Sequence, residues 1–145
     1  MALVRDHDVV LDATGNALAS SLLATAAQAV GPGLGHVVVA ACVQRDGDVL
    51  RVDRLPLRGK ERHLPALPLL DDDAHPREQG CGSPVSPAPP GAVIAAAELA
   101  HRVVIDEATR ACTLPATVAE VRYAQPEPPY DRVGRITSDD AAPEA

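Results

Sequence analysis

Asp8-Val-Val-Leu-Asp-Ala-Thr-Gly-Asn16 is the stretch on which the fold class turns. Three consecutive apolar residues, two of them β-branched, run into Ala-Thr-Gly. That is the composition of a short strand buried on both faces, as parallel strands are, ending in a turn. Asn16 is placed to cap a helix, and from Ala17 to Val30 the positions Leu18, Leu22, Ala26 and Ala29 recur at helical spacing. Gly31-Pro-Gly33 is the punctuation that ends such a helix. The run Val37 to Val43 then reads as a second buried strand, making a β-α-β unit.

Beyond that unit, Arg45-Asp-Gly-Asp48 signals a hairpin turn, and Val49 to Leu57 alternates unevenly enough to predict an edge or partly exposed strand. The character changes between Pro56 and Pro90, where eight prolines and the acidic triplet Asp71-Asp72-Asp73 leave no periodicity. A structureless stretch of that length in a small domain is read as a functional loop. A helix returns over Ala92 to Ile105 with Val93, Ala97, Ala100 and Val104 on its packing face, and Thr117 to Tyr123 reads as a last strand packed through Val118, Val121 and Tyr123. The expected organisation is an α/β domain over residues 1–124, with a Pro-rich cysteine loop at 56–90 inside it. Residues 125–145, rich in Pro, Asp, Glu and Ala, are expected to form an extended tail that is disordered near its end.

The composition narrows the function. The chain has 145 residues, no Phe, no Trp and two Tyr, so Val, Leu, Ile and Ala must fill the core. Methyl-rich side chains bury less area each, at roughly 25 cal/mol per Å², which suggests a partner surface. A net charge of −7 with no basic stripe argues against nucleic acid and anionic membranes. The apolar runs are short and interrupted by polar residues, so no membrane span is expected. Three cysteines without a CxxC pair predict neither a disulfide framework nor a zinc knuckle, and a cytoplasmic, reducing setting follows. His63, His75, Cys81 and the Asp triplet match no structural zinc pattern, so no metal site is assigned.

Two places carry candidate chemistry. Asp12, Thr14, Gly15 and Asn16 lie where ligands bind in open α/β sheets, beyond the carboxyl end of a strand, and the same residues equally suit plain turn and cap chemistry. Cys81 sits in Gly80-Cys-Gly-Ser-Pro84, where Gly and Pro keep a thiol out of regular structure, with His75 and Arg77 near in sequence to favour the thiolate. It is either a nucleophile or a non-essential loop thiol. Cys42 and Cys112 read as ordinary packing residues.

With these residues in place, the chain resembles the carboxyl-terminal half of a ThiF/MoeB/HesA-type protein, the bacterial relatives of the ubiquitin-activating E1 enzymes. The resemblance rests on Asp8 to Asn16 and the helix and strand after it, on Glu78-Gln-Gly-Cys-Gly-Ser-Pro84 ahead of an Ala-rich helix, and on Glu127-Pro-Pro-Tyr-Asp-Arg-Val-Gly134. It spans residues 6 to 134. It implies a truncated Rossmann-like half with a parallel or mixed sheet and covering helices. It also implies adenylation of the C-terminus of a ubiquitin-like or sulfur-carrier protein with ATP and magnesium, and capture of the product as a thioester on Cys81. Asp12, Thr14, Gly15 and Asn16 would then touch nucleotide or carrier. The chain departs from the family in three ways. No Gly-rich nucleotide turn precedes Asp8, Gly15 stands where the family has an acidic residue for magnesium, and Ser20 and Ser21 occupy the place of a helix arginine. ATP and magnesium are therefore expected not to bind this chain alone. The expectation is a fragment or subunit of an E1-like adenylyltransferase, completed by a ThiF-like subunit or acting as a homodimer. The alternative is a non-catalytic module that binds a carrier protein or an intact ThiF-like subunit.

Overall fold

The computed structural model describes residues 2–30, 37–68 and 88–140. A short helix α1 (Ala2–Asp6) leads into strand β1 (Val9–Asp12), helix α2 (Ala17–Val30) and strand β2 (Val37–Gln44). A tight turn over Arg45–Gly47 then leads to β3 (Val49–Leu55), α3 (Pro90–Ala108), β4 (Thr117–Val121) and β5 (Gly134–Thr137). The five strands form one mixed sheet in sequence order. β1 and β2 are parallel, Val9 opposite Val37 and Asp12 opposite Ala40, and every later pairing is antiparallel. The chain is thus one β-α-β unit continued by an antiparallel meander, an α/β fold as expected.

Helices cover both faces. Odd-numbered residues of β2 and even-numbered residues of β3 point to the α3 side, because successive strand side chains alternate. There Val37, Val39, Val52 and Val118 meet Leu99, Ala100 and Val103, while Leu50 meets Ala92 and Ala96. On the opposite face Val10 and Val38 pack with Val4 of α1 and Ala26 and Ala27 of α2. Farther along that face Val49, Ala119 and Val121 are covered by Leu64, Leu67 and Tyr130.

Several expectations need correction. β1 is the outermost strand, and Leu11 is 53% exposed, so it is not buried on both faces. β3, predicted as an edge, is central, because β4 pairs with the side opposite β2. Its buried run Val49–Val52 includes Arg51, whose charge disguised the strand's environment. β3 stops at Leu55, before a proline that has no N–H to offer the ladder. In α2 the buried residues are Ala26 and Ala27, while Leu18 and Leu22 are 69% and 63% exposed. In α3 the packing face is Ala92, Ala96, Leu99, Ala100 and Val103, rotated by one residue from the predicted stripe, and Val93 and Ala97 are exposed. A helix that is Ala- and Val-rich on several sides has two adjacent apolar stripes, and periodicity does not choose between them.

Tyr123 is exposed, and β4 ends at Val121. The segment taken for a tail supplies β5 and the buried Tyr130, 1% exposed. Its prolines are compatible with order because side-chain hydrogen bonds hold it. Arg51 donates to Asp53, to the carbonyls of Leu64 and Pro65, and to the Tyr130 hydroxyl at 2.9 Å, which in turn donates to Pro65 O at 2.7 Å. Thr117 Oγ1 also donates to Asp53. A second buried cluster ties α3 to the sheet, with Glu107 between Arg54 and Arg58 and Glu61 on the other side of Arg54. The Gly31-Pro-Gly33 helix stop, most of the Pro-rich loop and residues 141–145 lie outside the described residues.

Candidate functional site

The turn after β1 is built by one carboxylate. Asp12 Oδ1 accepts from the backbone N–H of Thr14 at 3.0 Å and from its hydroxyl at 2.8 Å, and Oδ2 accepts from Ser20 Oγ at 2.6 Å. Thr14 Oγ1 accepts from the Asn16 N–H, and Asn16 Oδ1 accepts from the N–H groups of Leu18 and Ala19, the N-cap predicted for α2. Gly15 sits at φ +61, the left-handed conformation that glycine adopts without strain. Asp12 is only 3% exposed, and burial by itself would raise its pKa. The hydrogen bonds from Ser20 and Thr14 outweigh burial and hold the carboxyl below its ordinary value. The four residues chosen from sequence therefore come together, as a self-satisfied turn.

Beside this turn lies a groove of about 600 Å³. It exists because β1 stops at Asp12, opposite Ala40, while β2 runs on to Gln44. The four extra residues of β2 have β3 on one side and no strand on the other among the described residues. One wall is Ala41, Cys42 and Val43, and the other is the stripe Val93, Ala97, Ala100 and Val104 of α3, the set that periodicity had assigned to packing. Thr14 and Gly15 form the rim, whereas Asp12 and Asn16 are turned to the turn's own hydrogen bonds.

The groove is apolar. His101 and Cys42 are its titratable side chains, and burial, followed by the nearby Asp53 carboxylate, pushes the Cys42 thiol up to about 11. Cys42 is half-buried and, as an even-numbered residue of β2, points to the sheet face of Arg51 and Asp53 rather than to α3, so it touches the groove without belonging to the core. Cys112 also departs from its packing assignment. It is exposed in a left-handed turn after α3, within hydrogen-bonding reach of the Arg58 guanidinium. Asp106 organises that turn by accepting from the N–H groups of Thr113 and Leu114. Cys81 lies outside the described residues.

The implied nucleotide and magnesium do not fit the described residues. Both Asp12 oxygens are engaged, Gly15 offers no ligand, no Lys or Arg lines the groove, and no group of three metal-ligating side chains forms among the described residues. No described helix is long and apolar enough to cross a membrane. The groove residues Ala41, Val43, Ala96 and His101 were not singled out from sequence, since small apolar residues in a strand and a helix look alike whether they face a core or a crevice. Comparison with family models, with curated proteins and with solved structures finds no match to this chain.

Proposed function

We propose that this chain is the carrier-binding portion of an E1-like, ThiF-type adenylyltransferase. Its groove holds the C-terminal tail of a ubiquitin-like or sulfur-carrier protein, and Cys81 is the candidate thioester acceptor. The observation that carries this reading is the crevice beyond the carboxyl end of β1, where open α/β sheets place their ligands. The flanks of the cysteine segment support it. Pro68 O accepts from Arg45 at 2.7 Å, and Pro89 packs on Gly47, so the chain leaves and returns at the β2–β3 turn, the same end of the sheet as the groove. Cys81 is seven residues from Ala88, at most roughly 25 Å of extended chain. ATP chemistry belongs in this reading to groups other than the described ones.

A second reading, a non-catalytic module that binds the carrier or an intact ThiF-like subunit, is favoured by the saturated Asp12 and by a groove with no cationic side chain among the described residues. The deciding experiment isolates the polypeptide from its source cells with its associated chains and measures carrier-dependent ATP–pyrophosphate exchange and a thiol-reducible carrier conjugate. The first reading expects Cys81→Ala to keep exchange and abolish the conjugate. Full exchange and conjugate after this chain is depleted would move the assignment to the second reading.

A further inference from the structure

We propose that the groove takes its occupant as an added β-strand, an extended polypeptide paired to the outer edge of residues 41–44 of β2. This deepens the carrier-binding reading and rests on it. Ala41, Cys42 and Val43 all line the cavity, yet successive residues of a strand point to opposite faces of a sheet. The cavity is lined by these three together with Leu11, Ala13, Thr14 and Gly15 at the end of β1, so it lies against the stretch of β2 that β1 leaves unpaired. That edge carries backbone N–H and C=O groups with no strand partner among the described residues, because β1 has already ended opposite Ala40. An unpaired edge is a template for an extended chain and supplies main-chain hydrogen bonds without reading sequence.

The rest of the groove specifies the occupant. Ala96, Ala97 and Ala100 on the helical wall leave room for backbone to come close, so the added strand carries small side chains there. Among the described residues no carboxylate, Lys or Arg lines the walls, which favours an uncharged bound portion.

The test titrates the isotope-labelled full chain by NMR with an acetylated five-residue peptide of Ala and Gly, and with the same peptide N-methylated at alternate residues. N-methylation removes strand hydrogen bonds and leaves the side chains. Expected are resonance shifts at residues 41–44 and 96–101, slower amide exchange at 41–44, and at least tenfold weaker binding of the methylated peptide. Ala97→Leu, at an exposed helix position, is expected to weaken binding at least tenfold with the remaining spectrum unchanged. Equal binding of the two peptides, no shifts at 41–44, or amides there already protected in the free chain by its own segments or a second copy would each overturn strand addition. Carrier-dependent exchange surviving any of these results would leave the wider reading standing. Methylation-sensitive binding without such exchange would retain strand addition and remove the adenylyltransferase assignment.

Discussion

At the carboxyl end of β1, three hydrogen bonds converge on Asp12, and the charge they stabilise contributes to folding only while it is present. Its folded pKa is depressed below the ordinary 3.8. The contribution is therefore complete above that ordinary value and is lost as pH falls through the lower folded value. Asp12→Asn is expected to cost about 1–3 kcal/mol near neutral pH, with the gap to the unsubstituted protein closing in strong acid; urea unfolding across that range checks it. Cys42 gives a second expectation at this scale. A thiol pushed up to about 11 and half-buried should react with iodoacetamide much more slowly near neutral pH than the exposed Cys112. Peptide mass mapping after timed alkylation decides it, and faster labelling of Cys42 would contradict the described environment. Asp12, Thr14, Gly15 and Asn16 were legible in sequence because turn and cap chemistry is local. The role of Ser20 was not, since it depends on α2 folding back over the end of β1.

Among the elements, the start of α3 lies close against the β2–β3 turn. Gly47 has φ +109, and a Cβ there would stand 2.8 Å from Pro89 Cδ and 3.1 Å from Ala92 Cβ. Gly47→Ala combines a strained backbone with a displaced helix start, so a loss of more than about 1 kcal/mol is expected, read as a lowered urea midpoint. The hairpin itself was legible from Arg45-Asp-Gly-Asp48, because its turn needs residues that tolerate positive φ. The strand it leads into was misplaced at the edge. Alternation reports which residues are apolar, not how many neighbours a strand has, and the burial of Arg51 in β3 depends on the Asp53 carboxylate together with the distant Leu64 and Pro65 carbonyls and the Tyr130 hydroxyl. The one-residue rotation of α3 has the same origin. Val93, Ala97, Ala100 and Val104 form a true apolar stripe, but the helix is rotated so that Ala100 and Val104 reach the core while Val93 and Ala97 stay exposed at the groove.

Across the whole molecule, residues far apart in sequence are joined by the Arg51 clamp, which links β3 to the segment around Leu64 and Pro65 and to Tyr130. Tyr130→Phe keeps the ring and removes two hydrogen bonds, for an expected loss of about 1–3 kcal/mol at roughly 0.5–1.5 kcal/mol each. Hydrogen exchange should show the loosening concentrated at residues 61–68 and 125–137, and a uniform effect would argue against the clamp. The amino-acid sequence by itself determined the β-α-β start, the N-cap at Asn16, the hairpin at Arg45–Asp48 and the existence of α3, all of which are signalled by residue patterns local in the chain. Only the tertiary structure decided that β3 is central, that residues 125–140 belong to the fold, and that a groove opens beside the Asp12 turn. Those outcomes depend on strand lengths and long-range pairing. β1 ending four residues before β2 is a difference that neither strand's own composition announces, and it is the reason the crevice exists.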